Sequence, residues 1–198
     1  MRTLLHTILL MGAMVAGGSV TEAQTATPQT GHEVDLAVTY TAERSNLVAT
    51  PTFWRQGAAL DLSAELYHGF GIGLNINGSR ISNINGTGIN LTSITTTFGP
   101  RYQWSPKSGK YALFGEGLIG ESHGYDSVFP SPNGAMKDYN TFALQVGGGI
   151  DLRVGRRLAV RPLQADWIRT EFPNGTTNVQ NSLRLGAGLV LRLQRAQR

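Results

Sequence analysis

The chain has no cysteine among its 198 residues, so no disulfide framework holds it together. Charge is sparse as well, with only 15% of residues Asp, Glu, Lys or Arg. The formal charge is +4, yet the longest basic run is Arg156-Arg157. Nucleic-acid binding needs a clustered basic patch, so nucleic acid is excluded as a partner. Past the opening stretch no apolar run approaches the ~18 residues that a spanning helix requires. No glycine loop leads into a helix to cradle a phosphate, because no helical pattern follows that stretch.

Histidine is scarce too, at four, and His6, His32, His68 and His123 fall in separate regions. A metal site needs several strong ligands converging on one point, so no metal is expected. Glu121, Ser122 and His123 hold the residue types of a hydrolytic triad. Adjacent residues on a strand point to opposite faces, so Ser122 and His123 diverge and no catalytic residue or cofactor is expected.

The opening MRTLLHTILLMGAMVAGGSVTEA sets Arg2 before an apolar run and ends on small residues, with Thr21 and Ala23 placed for cleavage. Residues 1–23 therefore read as a secretory signal peptide. Residues 24–33, QTATPQTGHE, are polar and are expected to be disordered. About 175 residues remain, enough for one domain.

Glycine is abundant, at 25, and many glycines sit inside alternating segments rather than between them. Gly71, Gly73, Gly115, Gly117, Gly147, Gly149, Gly186 and Gly188 are examples. Inward-facing glycines make room where a small closed barrel is crowded.

The alternating segments number eight. The first, Val34 to Arg44, sets Val34, Leu36, Val38 and Tyr40 against Asp35, Ala37, Thr39 and Thr41. The second runs from about Gly57 to Tyr67 and the third from Phe70 to Arg80. The fourth, Ile89 to Trp104, changes parity, and a bulge is predicted near Thr92 or Ser93. The fifth is Tyr111 to Glu121, with Glu116 assigned inward. The sixth is Tyr139 to Arg153. In the seventh, Leu158 to Arg169, Arg161, Gln164 and Asp166 all read as inward but out of phase, which predicts a bulge at Pro162. The eighth, SLRLGAGLVLRL at 182–193, has leucines on one face and Arg184 and Arg192 on the other. Each reads as a half-buried strand by period two.

The connections alternate long and short: 45–56, 68–69, 81–88, 105–110, 122–138, 154–157 and 170–181. A membrane barrel with both termini in the periplasm has long loops outside and short turns inside. Aromatics fall into two bands, Tyr67, Phe70, Tyr102, Trp104 and Tyr111 near the short turns, and Tyr40, Tyr139, Phe142, Trp167 and Phe172 toward the long loops. These bands read as interfacial girdles. The reading is all-β: an eight-stranded antiparallel up-and-down transmembrane barrel over 34–194, with a polar tail at 195–198.

The segments TFGPRYQW (97–104), FALQVGGGIDLRV (142–154), LAVRPLQADW (158–167) and RLGAGLVLRL make the chain similar to the small eight-stranded outer-membrane β-barrel proteins of the OmpA/OmpX type, in the porin-like subgroup. The resemblance implies an outer-membrane location, assembly by the barrel-insertion machinery, and no catalytic residues or cofactor. The family usually ends on an aromatic residue, whereas this chain has Leu191, Leu193 and a polar tail.

Asp35, Asp61, Glu65, Arg101, Glu116, Asp151, Arg161, Asp166, Arg184 and Arg192 are expected to form a charge network in the lumen, with Arg184 pairing with Asp166 or Glu43. Lys107, Lys110, Arg156, Arg157, Arg195 and Arg198 gather at the short-turn end, where anionic phospholipid is the expected contact. The leading functional reading is a non-enzymatic, monomeric structural or surface-interaction platform whose four loops meet an extracellular ligand. The alternatives are a narrow pore for small solutes and a soluble eight-stranded carrier, which would be apolar inside and polar outside.

Overall fold

A computed structural model describes residues 33–46, 52–175 and 177–194; the expected signal peptide and the tail at 195–198 lie outside them. The strands are β1 (Glu33–Ser45), β2 (Phe53–Tyr67), β3 (Phe70–Ile81), β4 (Leu91–Trp104), β5 (Tyr111–Tyr125), β6 (Phe129–Ser131), β7 (Gly134–Met136), β8 (Tyr139–Arg153), β9 (Leu158–Thr170) and β10 (Gln180–Gln194). Eight of them close into a barrel in the order β1-β10-β9-β8-β5-β4-β3-β2. Every neighbouring pair is antiparallel. Strands β6 and β7 form a small separate hairpin.

Period-two alternation decides the two faces, as the sequence predicts. Asp35, Thr39, Asn75, Thr97, Gln145, Asp166 and Arg184 are buried inside, whereas Val38, Leu60, Ile72, Phe98, Val146, Leu163 and Leu189 are exposed on the outer wall. A soluble carrier would show the reverse. So extensive an apolar exterior suits lipid rather than water.

Most strands run further toward the long-loop end than the sequence pattern predicts, although β4 begins at Leu91 rather than Ile89. Strand β2 begins at Phe53 rather than Gly57, and β5 continues to Tyr125 rather than Glu121. Polar residues such as Arg55 and Ser122, which resemble loop residues in sequence, are buried inside the barrel there. Three of the long connections shorten accordingly, to 46–52, 126–138 and 171–179, whereas the fourth, 82–90, is one residue longer than expected. At the opposite end lie the turns 68–69, 105–110 and 154–157. Glu33, assigned to the disordered segment, already pairs with Gln194.

The two predicted bulges have opposite outcomes. Register shifts in both β9 ladders place one extra residue around Pro162, between Arg161 and Leu163. Proline cannot donate to the ladder, so the strand accommodates it there and Arg161 and Gln164 both reach the lumen. The bulge near Thr92 or Ser93 is absent: β3 and β4 pair without interruption from Tyr102 to Leu91. The sequence pattern changes parity because the lumen itself changes character. Leu91 faces inward into an apolar cluster with Phe53, Ile84, Phe129 and Phe172 that fills the long-loop end. Phe172 lies within that cluster and Tyr139, on the inward parity of β8, packs against it, so neither is part of the outer aromatic band. An unpredicted shift between Glu65 and Tyr67 leads into the turn 68–69. His68 and Gly69 there both have positive φ, 47° and 84°, the conformation that lets a two-residue hairpin follow strand twist.

Candidate functional site

The lumen holds the chain's concentration of chemistry. Six acids, Asp35, Glu43, Asp61, Glu116, Asp151 and Asp166, and five arginines, Arg55, Arg101, Arg161, Arg184 and Arg192, are buried among the described residues. Isolated charges buried this deeply are costly, so their pairing governs the structure.

Arg161 is the hub of the short-turn half. It donates from Nε and Nη2 to the two oxygens of Asp151 at 2.7 and 3.1 Å, and from Nη1 to Gln164 at 2.9 Å. The same Nη1 lies 3.4 Å from Asp61. Arg184, in the long-loop half of β10, donates from Nε and Nη2 to Asp166 Oδ2 at 3.0 and 2.9 Å and from Nη1 to Asn75 at 3.1 Å. Asn75 in turn donates to Asp61 at 2.7 Å, and Gln164 to Asp166 at 3.0 Å. Arg161, Gln164, Asp166, Arg184, Asn75 and Asp61 thus form a closed circuit that crosses the barrel through β9, β10, β3 and β2.

Beside this circuit Arg101 donates to Glu116 at 2.9 Å, and Gln145 links Glu116 to Thr97 at 3.3 and 3.0 Å. The guanidinium groups of Arg101 and Arg161 lie 3.7 and 4.4 Å from the centroid of the Phe114 ring. Such contacts add an attraction that desolvation strengthens. Two glycines make room, as the crowding argument expects. A Cβ at Gly147 would stand 2.0 Å from Asp166 Oδ1, and one at Gly149 would stand 2.9 Å from two Phe114 ring atoms.

The ten predicted network residues are not all equivalent. Asp61, Arg101, Glu116, Asp151, Arg161, Asp166 and Arg184 join in the contacts above. Arg192 lies 3.9 Å from Asp35, a looser pair at the short-turn end. Glu65 is half-buried and accepts the Gly69 N–H at 2.9 Å, so it braces the turn. Of the two candidate partners of Arg184 the structure takes Asp166. Glu43 pairs instead with Arg55, which also donates to Ser93 at 2.8 Å. Sequence reasoning missed Arg55, Asn75, Gln145 and Phe114. Asn75 and Gln145 were visible as inward-parity polar residues.

The outer wall carries the expected aromatics Tyr40, Tyr67, Phe70, Tyr102, Trp104, Phe142 and Trp167, all exposed, with Tyr111 half-buried. Phe70 and Tyr102 touch across β3 and β4, their centroids 4.7 Å apart. The Ser122 hydroxyl is inside, 2.8 Å from that of Thr95, while His123 lies beside Tyr125 with ring centroids 4.2 Å apart. Ser122 and His123 diverge as neighbouring strand residues must.

No protein-family model and no curated protein matches the chain by sequence. Solved structures do match it. Ail, the attachment invasion locus protein of Yersinia pestis, aligns at 15% identity with a TM-score of 0.57, covering 83% of this chain and 100% of that one. Neisserial surface protein A aligns at 14% identity and 0.56, covering 83% and 98%. A second Ail structure, in complex with the heparin analogue sucrose octasulfate, aligns at 16% identity and 0.56, covering 83% and 100%. The chain has the fold of the small eight-stranded outer-membrane barrels.

Proposed function

We propose that the chain is a non-enzymatic outer-membrane protein, a plugged barrel that presents four loops outside the cell, with both termini in the periplasm. The observation that carries this reading is the filling of the lumen. Arg161, Arg184, Gln145, Leu118 and Phe129 are among the largest fully buried side chains, and they occupy the space a solute would need. The charged circuit closes the middle and the Phe53, Leu91, Phe129 and Phe172 cluster closes the long-loop end. An eight-stranded barrel leaves an interior only wide enough for side chains to fill.

The apolar exterior supports lipid as the surrounding solvent, and the barrel-insertion machinery as the route to it. Recognition then falls to the loops, which tolerate change on a rigid scaffold. Segment 126–138 carries the β6–β7 hairpin with Val128 and Met136 exposed. The complex of Ail with sucrose octasulfate supports an extracellular ligand for barrels of this shape. Planar-bilayer recording tests the reading. The purified barrel, shown to be folded by faster gel migration before boiling than after, is expected to give no steady conductance. A stable open channel would make the narrow pore the better reading.

A further inference from the structure

We propose that one side of the barrel, the outward face of β9, β10, β1, β2 and β3 at the long-loop end, is a docking belt for phosphorylated lipid headgroups. The belt's assignment to the outer leaflet rests on the orientation proposed above.

Three outward arginines carry the inference. Arg44 on β1, Arg80 on β3 and Arg169 on β9 are all exposed, and none has an ion-pair partner among the described residues. Among the described residues Arg44 donates to Thr52 alone, at 3.3 and 3.4 Å. The registers place these residues on one level. The line of pairing from Arg44 passes through Leu183 to Trp167, and Arg169 stands two residues beyond it. In the other direction the line passes Trp54, and Arg80 stands two residues short of it, opposite Gln56.

Strand tilt cancels these offsets. Traced once around the barrel from β1 through β2, the pairing returns to β1 about ten residues nearer the long-loop end, so the line climbs toward β3 and falls toward β9. At a tilt of about 40°, two strands change the height by about 6 Å, and two residues change it by about 5 Å the other way. The three Cα atoms therefore lie within roughly 3 Å of one height, about 12 Å apart around the wall. Between them on the same face lie exposed Trp54, Gln56 and Asn181.

The other half of the wall differs. At the same height β4, β5 and β8 present Ile94, His123 with Glu121, and Phe142, adjacent in register. Glu121 there accepts a hydrogen bond from Asn140 at 3.1 Å. One side offers planar cations that match phosphate bidentately, with a tryptophan suited to the headgroup region, and the other side offers none. An arginine pointing outward at the edge of an apolar wall is stabilised by an anionic headgroup beside it.

The test uses the full-length folded barrel in detergent, titrated with diphosphorylated lipid A and followed by native mass spectrometry. Each basic side chain near an anionic membrane surface contributes a factor of about five, so the triple variant R44Q/R80Q/R169Q is expected to bind about a hundredfold more weakly. The variant H123Q/F142L, on the other half of the wall at the same height, is expected to stay within about twofold. Unchanged binding by the first variant, or an equal loss by the second, overturns the belt. Complete competition by inorganic phosphate at the concentration of lipid phosphate also overturns it, since the site would then read free phosphate. Protease cleavage of intact cells at 126–138 supports the outer-leaflet assignment. Cleavage only at 105–110 or 154–157 overturns that assignment together with the proposed orientation, while the triple variant still decides the belt by itself.

Discussion

Removing Asp166 is the most direct challenge to the buried circuit. Its Oδ2 receives two donors from Arg184, and both side chains are 1% exposed. In Asp166→Ala the guanidinium keeps Asn75 at 3.1 Å but loses its countercharge, and breaking a buried pair in this way costs about 3 to 5 kcal/mol. With a urea slope of about 2 kcal/mol per molar, the unfolding midpoint should fall by about 2 M. Arg184→Met removes the other half and strands Asp166, which keeps only Gln164 as a donor at 3.0 Å. The double variant strands neither charge, so its loss should fall short of the summed single losses by about 2 kcal/mol. Equilibrium unfolding in lipid vesicles, followed through the three tryptophans and by gel migration, gives all four corners of the cycle. Losses that simply add, or a single variant costing less than about 1 kcal/mol, would refute the claim that this pair works as a unit.

Two further predictions concern packing. Phe172 is buried and lies 5.3 Å from Phe129, ring centroid to centroid, so Phe172→Ala should loosen the apolar cap by about 3 kcal/mol. Limited proteolysis should then cut 126–138 at least tenfold faster while the barrel still migrates as a folded species. Gly149→Ala puts a methyl group against the Phe114 ring and 2.6 Å from the Leu163 carbonyl oxygen, a strain of about 1 to 3 kcal/mol. Pairing it with Phe114→Leu should recover part of the lost urea midpoint; no recovery would show that the ring is not what the glycine accommodates.

What could be read from the chain followed the period-two rule. Wherever one face meets apolar surroundings and the other a polar lumen, as from Leu183 to Leu193, parity alone places every residue, and Arg184 with Asp166 follow as cross-strand neighbours. The rule fails where the lumen turns apolar. Leu91 and Tyr139 face inward among oily neighbours, so hydrophobicity no longer distinguishes inside from outside and a bulge was expected that does not exist. Arg55 was hidden for the opposite reason, because Phe53, Trp54, Arg55 and Gln56 mix both classes on both faces. The β6–β7 hairpin has three-residue strands, too short for any period to register. The position of Phe114 under two guanidinium groups depends on residues from separate strands, Arg101, Arg161 and Gly149, and no local spacing announces it.

The joining of β1 to β10 has a kinetic consequence. Hairpins such as β2–β3, linked by two residues, close cheaply, whereas β1 can meet β10 only by bringing together segments separated by most of the domain. Loop-closure entropy grows with the logarithm of the separation, so this step costs about 4 kcal/mol more than a tight hairpin. Until it is taken, the outer edges of β1 and β10 leave their amides unpaired in hydrocarbon, which is more expensive still. Partly assembled sheets are therefore poor resting places, and formation of this barrel should be close to all-or-none, with ring closure as its commitment step.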